Sequence, residues 1–174
     1  MEWPPQYPDS FTPNPDQEYW SPELETMPPT DRDRHILAKL QHQVRYAFQN
    51  SGFYQEFYKD APVDPANLKS LEEFAQLPIL TKEDIRREQE EHPPYGRFLC
   101  IEPEDIFRLH GTSGTTGRPT VFGIGKDDWD RIAEAHARIL WSAGLRRDDT
   151  VMVAAVFSLY VGSWGALVGA ERLG

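Results

Sequence analysis

The stretch His110-Gly-Thr-Ser-Gly-Thr-Thr-Gly-Arg-Pro-Thr120 decides how the rest of the chain is read. Its glycines let the backbone turn sharply and approach a ligand closely. Successive N–H groups in such a turn can converge as an anion nest. Thr112, Ser113, Thr115 and Thr116 add hydroxyls, Gly114 and Gly117 add freedom, and Arg118 adds a charge that suits phosphate oxygens. Short apolar runs on either side, residues 106–109 and 120–122, predict two strands flanking the loop. Composition alone leaves two readings open, a phosphate cradle and a flexible surface hairpin.

Three better-known loops are excluded. No Gly-Lys-Ser/Thr follows, so this is no Walker A loop. Gly123-Ile-Gly125 lacks a third glycine at Asp128, so the dinucleotide fingerprint fails. Gly111-Thr-Ser113-Gly114 lacks the residue that a nucleophile elbow needs between serine and glycine.

Outward from the loop the chain alternates. A helix is predicted over 127–143, with Trp129, Ile132, Ala133, His136, Ile139 and Leu140 on its apolar face and Gly144 as its stop. A buried strand over 151–157 and a small-residue helix over 162–173 follow. That alternation is the α/β layered pattern. Residues 150–170 carry no charge and are long enough to span a bilayer. Their strand-then-glycine texture favours a buried strand and helix, and no membrane span is expected.

Upstream the texture is helical. Ile36, Leu37, Leu40, Val44, Ala47 and Phe48 recur on one face, and Asn50-Ser51-Gly52 closes that helix. Phe53, Tyr54, Phe57 and Tyr58 form an aromatic stripe that reads as core. Residues 70–73 and 81–84 both fit the Ser/Thr-x-x-acid capping signature, and 77–80 reads as a buried extended linker between them. Pro93-Pro94 stops the second of these helices. Residues 1–30 hold eight of the fifteen prolines, six acidic residues and no Lys or Arg. The first eighteen are expected to be a flexible arm, with Tyr19 and Trp20 docking on the body. The division that results is an arm over 1–18, a mainly helical segment over 19–99 and an α/β part over 100–174.

The 174 residues carry 18 Lys and Arg against 28 Asp and Glu, a net charge of −10. Such an acidic chain is a poor partner for nucleic acid. The single cysteine, Cys100, excludes a disulfide framework and reads as a small apolar residue. The opening Met-Glu-Trp-Pro-Pro has neither the basic start nor the apolar core of a secretory signal, so a cytoplasmic location is expected.

Ser-Gly-Thr-Thr-Gly-Arg-Pro over 113–119 resembles the phosphate-loop signature of the acyl-adenylate-forming superfamily. Within it the chain is most similar to phenylacetate–CoA ligases. The likeness extends to Tyr19-Trp20-Ser-Pro-Glu-Leu-Glu25, Gln43-Val-Arg-Tyr-Ala47, Phe53-Tyr54, Leu77-Pro78, Thr81-Lys-Glu-Asp84 and Gly169-Ala-Glu-Arg-Leu-Gly174, and so covers about residues 19–174. The resemblance implies the N-terminal part of the superfamily's α/β large domain, ending inside its first large subdomain. It implies an AMP-forming ligase that takes ATP, Mg2+, CoA and a small, aromatic carboxylic acid.

Phosphate binding then falls to Thr112, Ser113, Gly114, Thr115, Thr116, Gly117 and Arg118. Phe157 and Tyr160 become candidates for the acid pocket. No metal ligand and no covalent catalyst is assigned, and His110 stands between a structural and a ligand-facing role. Arg118 replaces the family's usual Lys, and Phe157-Ser-Leu-Tyr160-Val-Gly162 replaces a Tyr- and Gly-rich run, which points away from phenylacetate itself. A non-catalytic truncated relative is the competing reading. The chain alone is expected to expose apolar surface and to form aggregates or a homo-oligomer, without ligase activity.

Overall fold

The computed structural model describes residues 13–112 and 119–174. The chain forms two compact units, one of residues 28–105 and one combining 106–174 with the segment that ends at Met27.

The first unit is helical. Its longest helix, α2 (Pro29–Asn50), follows the four-residue α1 (Pro22–Glu25) of the other unit. Proline opens α2 where no intrahelical N–H is needed, and Asp31 complements the positive end of the helix dipole. Val44 and Ala47 are buried, and Val44 joins Leu68 and Leu77 in a small core covered by Tyr58, Ala61 and Val63. The connecting strand of chain is tied to α2 by side chains that satisfy its carbonyls: Gln41 Nε2 donates to Leu68 O (2.7 Å) and Arg45 Nε to Ala66 O (2.8 Å).

Helix α3 (Gly52–Phe57) starts at Ser51, whose Oγ accepts from the Tyr54 N–H and donates to Arg97 O (2.7 Å). The aromatic stripe does pack: Phe53 stacks on Phe57 and meets Phe98 at 4.2 Å between ring centroids. Both capping signatures are present as read. Ser70 caps α4 (Leu71–Phe74), and Thr81 and Asp84 form a reciprocal box at the start of α5 (Lys82–Glu91). Each cap satisfies amides that a helix start leaves bare.

Two expectations are corrected here. The linker at 77–80 is not buried throughout: Leu77 still belongs to the turn that closes α4, its N–H donating to Phe74 O, and is buried, whereas Ile79 beyond it is 86% exposed. Cys100 is half-buried, and its carbonyl accepts from the Tyr46 hydroxyl (3.1 Å).

The second unit holds the predicted hairpin. Strands β1 (Arg108–Gly111) and β2 (Val121–Ile124) pair antiparallel, with His110 opposite Phe122 and Gly111 opposite Val121. Helix α6 (Lys126–Ser142) follows, with the Gly125 N–H held by Asp128 Oδ2. Helix α7 (Val161–Leu173) crosses it closely. A methyl group at Gly169 would lie 2.8 Å from the His136 carbonyl carbon and 2.9 Å from the Ala137 nitrogen, so only glycine admits this approach. Gly165, one turn earlier, faces the His136 ring, a side chain rather than backbone.

Residues 13–20 lie against α6. Trp20 is 1% exposed and meets Trp141 edge-on at 5.7 Å. The Trp141 indole N–H donates to Glu18 O, and Arg146 both lies over the Trp141 ring (3.9 Å) and donates to Pro15 O. Trp20, Ala137, Trp141 and Leu173 form the core of this unit.

The predicted strand over 151–157 does not form. That stretch has no regular structure, and Met152 and Val156 are 85% and 79% exposed. A strand exists only as part of a ladder, and β1 and β2, the described strands, pair with each other. Among the described residues no helix is long and apolar enough to cross a membrane.

Candidate functional site

The mouth of the hairpin is built by paired threonines. Thr112 N–H donates to Thr120 O (3.0 Å), and Thr120 N–H donates to Thr112 Oγ1 (3.1 Å). The Thr112 hydroxyl thus accepts a backbone bond that closes the hairpin, and its own proton remains to donate. Ser113, Gly114, Thr115, Thr116, Gly117 and Arg118 lie outside the described residues.

Immediately before Thr112, strand β1 grips the segment leading into α7. The Gly111 N–H donates to Leu159 O at 2.8 Å, and His110 Nδ1 stands 3.0 Å from the same oxygen. A carbonyl only accepts, so Nδ1 carries the proton. A methyl group at Gly111 would meet Thr120 O at 2.9 Å, which keeps position 111 bare. His110 is 4% exposed and lies flat on Trp129, with planes 6° apart and centroids 5.4 Å apart. Its Nε2 and the Thr120 hydroxyl are buried with no hydrogen-bond partner among the described residues.

Phe157 and Tyr160 are both on the surface of this unit. Phe157 packs edge-on against Trp164 (4.9 Å), and Trp164 Nε1 donates to Ser158 O (2.8 Å). Ser163 Oγ holds Val156 O (2.9 Å), so the segment is pinned from α7 as well as from β1. Tyr160 occupies the N-cap position of α7.

The sequence did not single out Arg108, Trp129 or Trp164 as neighbours of this site. Arg108 lies over Trp129 (4.3 Å) and Trp164 (5.2 Å), a cation on two aromatic faces. The available signal is the period of two along β1, which puts Arg108, His110 and Thr112 on one face.

The described residues do not fit a resident magnesium ion. Among the described residues, Glu88, Glu91 and His92 form the carboxylate–imidazole group with ligand spacing, in the helical unit. Arg97 already occupies both Glu88 oxygens, through Nε (2.7 Å) and NH2 (3.0 Å), and adds its backbone N–H (2.9 Å). Those bonds hold the Glu88 carboxyl below its ordinary range and the guanidinium above its own.

No protein-family model matches the chain. It is 37% identical over 141 residues to the phenylacetate-coenzyme A ligase of Pseudomonas putida, covering 81% of this chain and 31% of that protein. To the enzyme of the same name from Thermus thermophilus it is 36% identical over 155 residues, 89% of this chain and 34% of that protein. The chain matches an N-terminal portion of phenylacetate–CoA ligases. It spans about a third of the length of the curated relatives it matches.

The fold agrees. A 2-hydroxyisobutyryl-CoA ligase in complex with 2-HIB-AMP and CoA superposes with a TM-score of 0.93 and 52% identity, over 99% of this chain and 36% of that one. An open conformation of that ligase gives 0.92 and 50%, over 99% and 40%. The expected fold, the N-terminal part of an adenylate-forming ligase's large domain, is thereby shown.

Proposed function

We propose that this chain supplies the phosphate-binding and acid-facing portion of an AMP-forming acid–CoA ligase. The observation that carries the reading is 52% identity across 99% of the chain to a ligase holding an acyl-adenylate and CoA. In the reaction proposed, a carboxylate oxygen attacks the α-phosphorus of ATP, and pyrophosphate departs with the electrons of the broken P–O bond. The CoA thiolate then attacks the acyl carbon and releases AMP.

Negative charge grows on pyrophosphate in the first step. Neutral donors from Ser113, Thr115 and Thr116, the amides of Gly114 and Gly117, and the Arg118 cation would stabilise that charge as it develops. The Thr112 hydroxyl, fixed by its bond from Thr120, would orient the start of the loop. Phe157 and Tyr160 would wall the acid. Identity of 52% to a 2-hydroxyisobutyryl-CoA ligase, against 37% to a phenylacetate ligase, favours a short branched 2-hydroxy acid over an aryl acid.

The test is a hybrid in which this chain replaces the matching stretch of 2-hydroxyisobutyryl-CoA ligase. Acid-dependent ATP–pyrophosphate exchange should be retained, and 2-hydroxyisobutyrate should be preferred to phenylacetate. Thr115→Ala or Arg118→Ala should lower kcat more than it raises the acid KM, by about 2.7–4 kcal/mol for a lost transition-state donor. A folded hybrid with no exchange would reject the reading.

A further inference from the structure

Between β1 and α7 one carbonyl, Leu159 O, receives two donors, the Gly111 N–H (2.8 Å) and the His110 ring (3.0 Å). Two further carbonyls of the segment are held from α7, Val156 O by Ser163 and Ser158 O by Trp164, and the Tyr160 N–H turns back on Ser158 Oγ. Without the Leu159 bonds, 156–160 would be anchored at α7 and free of the strand. The imidazole is placed for this work by its flat stack on Trp129, which fixes the ring plane and leaves Nδ1 aimed at the carbonyl.

We infer that His110 is a positioning residue for acid selection: through Nδ1–H it fixes Leu159, and with it Phe157 and Tyr160, at a set distance from β1. The inference rests on the proposed reading of Phe157 and Tyr160 as the acid wall. His110 touches no reacting atom in this scheme. It acts by holding a wall whose displacement by even an ångström changes how an acid is seated. One neutral hydrogen bond is a modest quantity, so the effect should be a shift in selectivity rather than a loss of chemistry.

Two substitutions separate the bond from the packing. His110→Phe keeps a ring on Trp129 and removes the donor. His110→Asn keeps a side-chain N–H near the position of Nδ1 and removes the ring. In the hybrid ligase, His110→Phe should raise the acid KM by about five- to tenfold, with the ATP KM and kcat nearly unchanged, and His110→Asn should restore most of it. In this chain by itself, amide exchange at Gly111 should quicken in the Phe variant and recover in the Asn variant. Parent-like behaviour of His110→Phe would overturn the inference, as would an Asn variant no better than Phe, which would assign the role to the ring. Should the hybrid show no acid-dependent exchange at all, the ligase reading falls, and Gly111 exchange in this chain still decides whether His110 holds the segment.

Discussion

Among the described residues each unit buries one glutamate, and the two are held in opposite ways. Glu88, on α5, is clasped by Arg97 only nine positions along the chain, and Arg97 remains half-exposed. Glu134, on α6, takes the Trp20 indole N–H on one oxygen and Arg172 on the other, from partners 114 and 38 positions away. The first pair closes a local turn at the edge of a helical unit. The second ties the N-terminal segment, α6 and α7 at a single carboxylate, with both charged side chains less than a tenth exposed. A short loop closes at little entropic cost, whereas the long closures around Glu134 form only once the unit itself has formed. Glu134 is therefore the more consequential of the two.

That contrast can be broken most directly at Glu134. Glu134→Ala removes the carboxylate that the Trp20 indole and the buried Arg172 share. A loss of about 3–5 kcal/mol is expected in denaturant unfolding of the unit it serves. A cost below about 1 kcal/mol would mean that the carboxylate is not the tie described. Next comes Gly169→Ala, which sets a methyl group against α6 backbone rather than against a movable side chain. Overpacking of this kind costs about 1–3 kcal/mol and should lower Tm by several degrees.

The local pair should show itself in acid. Its folded carboxyl lies below the ordinary 4.5, so its contribution is complete above that value and is lost as pH falls through the lower, folded one. Thermal midpoints measured from pH 6 downward should drop, starting near pH 4.5, and Glu88→Gln should flatten that part of the profile. The smallest effect belongs to Thr81→Ala, which removes one half of the capping box at α5 and should cost about 1 kcal/mol.

The same contrast explains what the sequence disclosed. Thr81 with Asp84, Ser70 with Glu73, and the one-face spacing of α2 are local patterns, and they stand in the structure as read. The hairpin around residues 110–120 was legible because its flanking apolar runs and its glycines lie within one turn of each other. Glu134 was not legible, since nothing near it in sequence announces Trp20 or Arg172. Residues 151–157 misled for a related reason. Their composition signals burial, but a strand is defined by a neighbour elsewhere in the chain, and none of the described residues provides one. His110 was singled out for its place before the loop, while its partners Leu159 and Trp129 follow from tertiary packing alone.

The edge-on contact of Trp20 with Trp141 has an optical consequence. Two indoles 5.7 Å apart at a fixed angle of 71° couple their electronic transitions, and fixed aromatic geometry is what gives a folded protein its near-ultraviolet circular dichroism. Since one indole comes from the N-terminal segment and the other from α6, the coupled signal exists only while that segment is docked. The molecule thus carries its own label-free reporter, by which release of residues 13–20 can be followed separately from the melting of the helices.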